Sequence, residues 1–332
     1  MAVLVTGAGG FLGSHLIREL SVRGRKVKAM VRRKNQKDLF DLPGVETVYG
    51  DIKEPATLTT PLKDIETVFN CAALVSEWGK KKKFYSTNVY GTKNLLEASK
   101  NAGVNRFIHI SSLVVIGIST KHYNSDESRP YTKKVFDPYS ETKIHSEKVV
   151  REYHHTSGLQ TTILRPSVIW GPGDRNIFPR LFQIMNNGTF FLINGGRQTI
   201  SLTYVDNLVE AMLLAEQREE AKGEIYHIVD GWKCTFKEFL NRLLEKAEKK
   251  PVSRSVPFTL AYLIAYLTEV KAKLLHEENP PLLTRFGLYL MSNNSEFDCS
   301  KAQRELNYSA RVGLEEGLEK TAAWIKKEKL LK

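Results

Sequence analysis

The segment Ala2-Val3-Leu4-Val5-Thr6-Gly7-Ala8-Gly9-Gly10-Phe11-Leu12-Gly13 constrains this chain more than any other stretch of its sequence. A short β-branched run ends in a glycine-rich turn, and the turn opens onto a helical pattern from Phe11 to Ser21. Glycine lets the backbone turn tightly and lets an anion approach the main chain. The first amides of the following helix, at the positive end of its dipole, then complete a cradle for a pyrophosphate. The spacing is TGxxGxxG, distinct from the commoner GxGxxG. Thr6, Gly7, Gly10, Phe11, Leu12 and Gly13 are therefore expected to bind a dinucleotide.

The rest of the first half supplies the setting such a turn needs. Runs at Ala2–Val5, Val27–Val31, Val45–Tyr49, Thr67–Cys71, Arg106–Ile110 and Thr161–Leu164 read as buried strands. Helical patterns at Phe11–Ser21, Tyr85–Asn101 and Tyr139–Thr156 lie between several of them. Such alternation predicts an α/β fold, a Rossmann doubly wound parallel sheet, with ligands at the carboxyl ends of the strands. A further helix and strand follow at Val205–Gln217 and Glu224–Val229. The patterns beyond are helical, at Thr235–Lys249, Pro257–Leu275, Pro281–Met291 and Leu314–Lys327. The expected division is a dinucleotide-binding unit over residues 1–166, continued by 200–230, with 167–199 and 231–332 forming an interleaved, smaller and mainly helical substrate lobe.

Composition excludes several classes. At 332 residues, with 42% hydrophobic and 26% charged, the chain reads as globular, and not as a disordered tail, a fibre or a polytopic membrane protein. Its longest uncharged apolar stretch, from Ser255 to Thr268, is shorter than the roughly 20 residues a bilayer-spanning helix requires. Cys71, Cys234 and Cys299 form no CxxC pair, and the eight histidines have no ligand spacing, so neither disulfides nor a metal is expected. The apolar N-terminal residues belong to a strand, and a reduced, cytoplasmic setting is the expectation. The net charge of +12 points to an anionic partner without identifying it. No nucleic-acid-binding motif accompanies it.

The choice of dinucleotide is read at the end of the second strand, where an acidic residue would grip a ribose 2′-hydroxyl. Here the strand ends in Arg32-Arg33-Lys34. Guanidinium groups pair with a 2′-phosphate, so NADP(H) is preferred, with Arg32 the leading contact and NAD(H) possible. Asp51, after the third strand, is placed to accept a hydrogen bond from an adenine amino group, although an Asp after Gly50 is also an ordinary turn former.

The chemistry is expected at Tyr139-Ser140-Glu141-Thr142-Lys143, which follows Pro138 at a helix start. Tyr139 and Lys143 fall on one helix face, a turn apart, and a neighbouring ammonium lowers a phenol's pKa towards neutrality. Ser111-Ser112 ends the fifth strand at the ligand-binding edge, where a hydroxyl polarises a carbonyl.

Together these segments resemble an extended short-chain dehydrogenase/reductase of the NAD-dependent epimerase/dehydratase superfamily, essentially end to end. Further matching segments are Phe69-Asn70-Cys71-Ala72-Ala73, Asn88-Val89-Tyr90-Gly91-Thr92-Lys93-Asn94-Leu95, Leu164-Arg165-Pro166, Tyr204-Val205-Asp206 and Tyr226-His227-Ile228. The resemblance implies that Tyr139 is the general acid/base, that Lys143 holds the nicotinamide ribose and tunes Tyr139, and that Ser112 orients the reacting oxygen. It also implies cofactor contacts at Ile52, Cys71, Ala72, Ala73, Pro166 and Val168. Ile116 stands where the family's SSxxxYG segment has its tyrosine, and Asn70 replaces a common histidine.

Val168 occupies a position where many sugar-nucleotide members carry an asparagine facing the substrate diphosphate. With Pro280–Phe286, Phe297-Asp298 and Leu314–Leu318, it makes the chain resemble the 3β-hydroxysteroid dehydrogenase-like branch. The implied activity is NAD(P)-dependent reduction of a ketone, or the reverse oxidation, on an apolar steroid-like or lipid-like substrate. The alternative is a nucleotide-sugar epimerase/dehydratase with bound NAD. The family implies a homodimer through Tyr85–Asn101 and Tyr139–Thr156. The apolar run Val256–Leu267 is expected to be mainly a core helix, with a pocket wall or a peripheral membrane contact as the alternatives. Lys80–Lys83 is expected to be solvated surface, with steering of an anionic substrate as the alternative.

Overall fold

The computed structural model describes residues 2–33, 36, 40–175 and 177–331. Seven parallel strands build the main sheet: β1 (Ala2–Thr6), β2 (Lys26–Val31), β3 (Val45–Tyr49), β4 (Ile65–Asn70), β5 (Arg106–Ile110), β6 (Gln160–Pro166) and β7 (Ile225–Ile228). Their spatial order is β7-β6-β5-β4-β1-β2-β3. Strands covered on both faces need apolar residues at successive positions, and Val3–Val5 and Phe107–Ile108 are fully buried accordingly. The order reverses between β1 and β4, so the loops after those strands diverge and leave a crevice at their carboxyl ends.

Helices α1 (Phe11–Val22) and α5 (Val205–Gln217) cover one face, and α2 (Thr92–Asn101) and α3 (Pro138–Ser157) cover the other. Leu12, Leu16, Ile17 and Leu20 put the apolar stripe of α1 into the larger core, which continues into Trp170, Phe239 and Leu318 of the flanking segments. The chain leaves the sheet after β6, forms α4 (Ile177–Asn186), and returns through α5 to add β7 at the sheet edge. It then builds α6 (Phe236–Lys246), α7 (Phe258–Leu274), α8 (Arg285–Ser292), α9 (Ser300–Leu306) and α10 (Leu314–Lys327).

Three expectations change. The stretch 85–101 is not one α-helix: a wide π turn occupies Tyr85–Gly91 before α2 begins. The helix expected from Pro281 starts at Arg285, because Thr284 caps it through the Gly287 amide. The run Val256–Leu267 is not mainly core. Ala261 and Ala265 are buried, and Phe258 and Tyr262 half-buried, while Leu260, Leu263, Ile264, Tyr266 and Leu267 are exposed. Among the described residues, no helix is long and apolar enough to cross a membrane.

Candidate active site

The cradle is built by backbone contact. Gly7 has φ +65°, and a Cβ there would lie 2.8 Å from the Cys71 carbonyl oxygen. A Cβ on Gly13 would collide with the Gly7 carbonyl, so α1 sits directly on the turn. The Gly10 amide donates to the Gly7 carbonyl at 2.9 Å. Helix α1 then starts with no side-chain cap and no acidic residue in its first turn, and its leading amides remain free to receive an anion. This shape and polarity fit the pyrophosphate of a dinucleotide.

The neighbouring loops complete the crevice. Thr6 is buried, donates its hydroxyl to Asn70 Oδ1 at 2.8 Å and accepts from the Ala72 amide at 3.1 Å, so its side chain fixes β1 to β4 and its successor loop. Cys71, Ala72 and Ala73 follow β4 and are half-buried beside Gly7. Buried Asn88 ties this loop to α3: its Oδ1 accepts from the Leu74 amide at 2.7 Å, and its Nδ2 donates to Thr142 Oγ1 at 3.1 Å. Arg32 and Arg33 are exposed after β2, and Lys34 lies outside the described residues. Asp51 is buried and accepts from the Lys53 amide at 2.9 Å, and Ile52 is buried beside it. Pro166 ends β6, and half-buried Val168 lies in a short strand, Val168–Trp170, paired with Leu202–Tyr204.

The sequence reading missed Arg175. Its Nη1 donates to the Gly9 carbonyl at 3.0 Å, bringing a guanidinium to the lip of the cradle from the loop after Gly171-Pro172-Gly173. The same loop is tied to α1 by His15, whose Nε2 is 3.0 Å from the Pro172 carbonyl and whose Nδ1 is 2.7 Å from Asp206. Only the paired glycines of that loop hinted at this in the sequence, because the contact joins segments 166 residues apart.

On the other side of the crevice, Asp137 caps α3 by accepting from the Ser140 amide at 2.7 Å, which places Tyr139 and Lys143 on the helix's buried side. Ser112 is the neighbouring hydroxyl that favours ionisation of the Tyr139 phenol. Half-buried Ser112 also accepts from the Val114 amide at 3.4 Å, whereas Ser111 points its hydroxyl into the interior with no partner among the described residues. Of the two serines, the structure brings Ser112 to the phenol.

The electrostatics differ from the sequence expectation. Burial pushes the Tyr139 phenol up to about 12. The Ser112 hydroxyl opposes that shift, and the Asp137 carboxylate adds to it. The Lys143 Nζ donates to the Ile110 carbonyl at 2.7 Å. Burial pulls the Lys143 ammonium down to about 8 against the nearby Glu147 carboxylate. Glu147, one turn further along α3, is held by the buried Arg165 at 2.7 Å and by the Tyr131 hydroxyl at 2.9 Å. Burial also keeps His109 neutral, and it bridges Asn70 and Ser146 behind the lysine. The two expected groups are thus adjacent, but each is held in its neutral or weakly basic range.

An aromatic wall faces the phenol. The Tyr139 and Phe286 rings meet edge-on at 6.4 Å. On α8, Tyr289 contacts Phe136 at 5.5 Å, Phe258 at 5.7 Å and Tyr262 at 6.2 Å. Lys81 is held by Glu141 at 2.7 Å and lies over the Tyr85 ring, so only part of Lys80–Lys83 is free surface.

Comparison with known proteins identifies the family. The sequence profile of the 3-beta hydroxysteroid dehydrogenase/isomerase family matches residues 4–258. The chain is 32% identical to a 4-hydroxy-2-methyl-3-oxo-4-farnesyl-3,4-dihydroquinoline-1-oxide ketoreductase of Stigmatella aurantiaca, over 96% of this chain and 95% of that protein. It is also 32% identical to a 2-alkyl-3-oxoalkanoate reductase of Stenotrophomonas maltophilia, over 97% and 99%. A UDP-glucuronic acid 4-epimerase from Bacillus cereus, solved in complex with NAD, superposes with a TM-score of 0.78 at 26% identity over 99% of both chains.

Proposed function

The chain belongs to the 3-beta hydroxysteroid dehydrogenase/isomerase family, and from that premise we propose that it reduces the ketone of an apolar, lipid-like 3-oxo compound with NADPH. It is an NAD(P)-dependent oxidoreductase acting between CH–OH and C=O. The observation that carries the substrate class is the aromatic wall: Phe286 meets the Tyr139 ring edge-on, and Tyr289 of the same helix gathers Phe136, Phe258 and Tyr262. Rings of this kind bury hydrocarbon, and offer little to a sugar or a diphosphate. Val168, which cannot donate a side-chain hydrogen bond, agrees with them.

When bound, the nicotinamide supplies or accepts the hydride. In our reading the cradle at Gly7, Gly10, Phe11, Leu12 and Gly13 holds its pyrophosphate, with Arg175 at the rim. Thr6 shapes that turn, Asp51 and Ile52 receive the adenine, and Arg32 selects the 2′-phosphate. Cys71, Ala72, Ala73, Pro166 and Val168 line the path to the nicotinamide. Ser112 orients the substrate oxygen. Tyr139 delivers a proton to it from a phenol that is fully protonated at neutral pH, which suits the reductive direction. Lys143, once turned from the Ile110 carbonyl, is the group to hold the nicotinamide ribose. A homodimer through Tyr85–Asn101 and α3 belongs to the same reading.

The test is NADPH oxidation by the purified protein with 3-oxo steroids, 3-oxoacyl esters and UDP-sugars in parallel. Turnover of the first two classes alone is the expected result. Conversion of a UDP-sugar with tightly retained NAD would replace this reading by an epimerase.

A further inference from the structure

We propose that Glu77 is a positioning and specificity-determining residue: by clasping Thr284 and Arg180 it sets how far α8, and with it the Phe286 ring, stands from Tyr139. For the substrate, this rests on the ketone-reductase reading. Glu77 lies in the loop that follows β4, far in sequence from the groups it meets. Its Oε2 accepts from the Thr284 hydroxyl, and its Oε1 is paired with the Arg180 guanidinium of α4. Arg180 in turn donates from Nη2 to the Pro281 carbonyl at 2.7 Å, so two arms reach the segment that leads into α8. The Glu77 side chain is only 13% exposed, and Thr284 is buried.

A carboxylate withdrawn from water is destabilising unless its oxygens are satisfied, and here one meets a charge and the other a hydroxyl. That hydroxyl also caps α8. Thr284 Oγ1 accepts from the Gly287 amide at 3.0 Å, and donating its proton to Glu77 leaves its lone pairs for that amide. A Cβ on Gly287 would lie 3.2 Å from Glu77 Oε2, so glycine leaves the carboxylate its room. Between the cap and Gly287 sits Phe286, the ring that meets Tyr139 edge-on. A second carboxylate grips the same turn from α7: Glu269 accepts from the Arg285 amide at 2.6 Å and pairs with its guanidinium at 2.8 Å.

The contacts close on themselves. Leu74, three residues before Glu77, is held by Asn88 at its amide, 2.7 Å, and at its carbonyl, 3.1 Å. Asn88 also donates to Thr142 of α3 at 3.1 Å. From Tyr139 the path runs through Phe286, Thr284, Glu77, Leu74, Asn88 and Thr142 back to the helix that carries Tyr139. On the far side of Glu77, Trp78 Nε1 donates to the Glu277 carbonyl, just past α7, at 3.0 Å. A circuit anchored at both ends on one helix fixes one dimension of the space before the phenol. Glu77 acts on that space through Thr284.

Two measurements on the purified full-length protein test the assignment: NADPH oxidation with a slender 3-oxoacyl ester and with a fused-ring 3-oxo steroid, and hydrogen exchange of the α8 amides. T284V and E77M should each move the kcat/KM ratio of the two ketones by roughly fivefold or more, mainly through KM. Both should also speed exchange at Gly287 and Leu288. T284S, which restores the hydroxyl, should behave as wild type. Because both residues act through one hydrogen bond, E77M/T284V should shift the ratio no further than E77M alone. NADPH affinity, followed by nucleotide fluorescence, should stay within about twofold throughout. The two Thr284 variants carry the test should E77M fail to fold. An unchanged ratio with faster exchange would overturn the specificity role, and unchanged exchange would overturn the clasp. Loss of selectivity in T284S as large as in T284V would also overturn it, since the hydroxyl would not be the agent. A wild type that oxidises NADPH on no ketone refutes the reductase reading and the substrate clause with it, while exchange in T284V still decides whether Glu77 positions α8.

Discussion

Helices α1 and α7 are both apolar, yet they place their leucines on opposite sides. In α1, Leu12, Leu16 and Leu20 are buried against the sheet, and the helix start is pressed onto Gly7 so that its amides face the crevice. In α7, alanines face the protein while Leu260, Leu263 and Leu267 face outwards. The difference follows from what each helix packs against. A sheet offers a broad apolar plane that large side chains fill, whereas α7 meets α8 through small Ala261 and the rings of Phe258 and Tyr262. One helix places a binding site, and the other presents a surface.

The sharpest separation of the two roles is Tyr139→Phe. It should lower turnover by roughly a hundredfold to ten-thousandfold while leaving NADPH binding, followed by nucleotide fluorescence, nearly intact. Substitutions on the outward stripe of α7 should leave turnover of a dissolved substrate unchanged. Lost nucleotide binding in Tyr139→Phe would mean that the phenol builds the cradle.

Next come paired leucine truncations. Leu16→Ala should cost about 2–5 kcal/mol in urea denaturation, whereas Leu263→Ala should stay within about 0.5 kcal/mol. Equal losses would erase the contrast between the two helices.

The buried Lys143 gives a pH signature that exposed Lys271 and Lys273 should not share. Its folded pKa, about 8, lies below the ordinary 10.5, so between those values the unfolded chain binds more protons. Stability should therefore rise with pH through that window, by at most about 1.4 kcal/mol per unit. Comparing denaturation of wild type and Lys143→Met across the window should isolate the slope, and identical slopes would show that the lysine is not buried as a charge.

The smallest expected effect is at the rim. Arg32→Asp should raise the KM for NADPH by roughly tenfold and leave NADH much less changed, since an exposed arginine contributes modestly to phosphate affinity. Parallel losses for both nucleotides would remove Arg32 from cofactor selection.

The sheet and the cradle were legible because each rests on local pattern. The glycine spacing after β1, the buried β-branched runs, Ser112 at the end of β5, and Tyr139 with Lys143 on α3 all lie within single elements. What escaped depends on distant partners. The direction of Lys143 was hidden because the carbonyl that captures it belongs to Ile110, on strand β5. The π turn at Tyr85–Gly91 was hidden because Asn88 there bonds to Leu74 and Thr142. Helix α4 contains Pro179, which spoils its local signal, while Asp174 caps it through the Phe178 amide. The orientation of α7 was illegible for another reason: with alanine on one face and leucine on the other, both faces read as apolar.

Strand β7 joins β6 along Ile225–Ile228, after a detour of almost sixty residues through the flanking lobe. During synthesis, β6 is therefore complete while its outer edge still lacks a neighbour, and Thr161–Pro166, buried in the finished fold, wait for a strand not yet made. A gene cut after residue 166 would leave that interval permanent. The first half of the chain thus ends on a strand edge that only β7, made almost sixty residues later, covers.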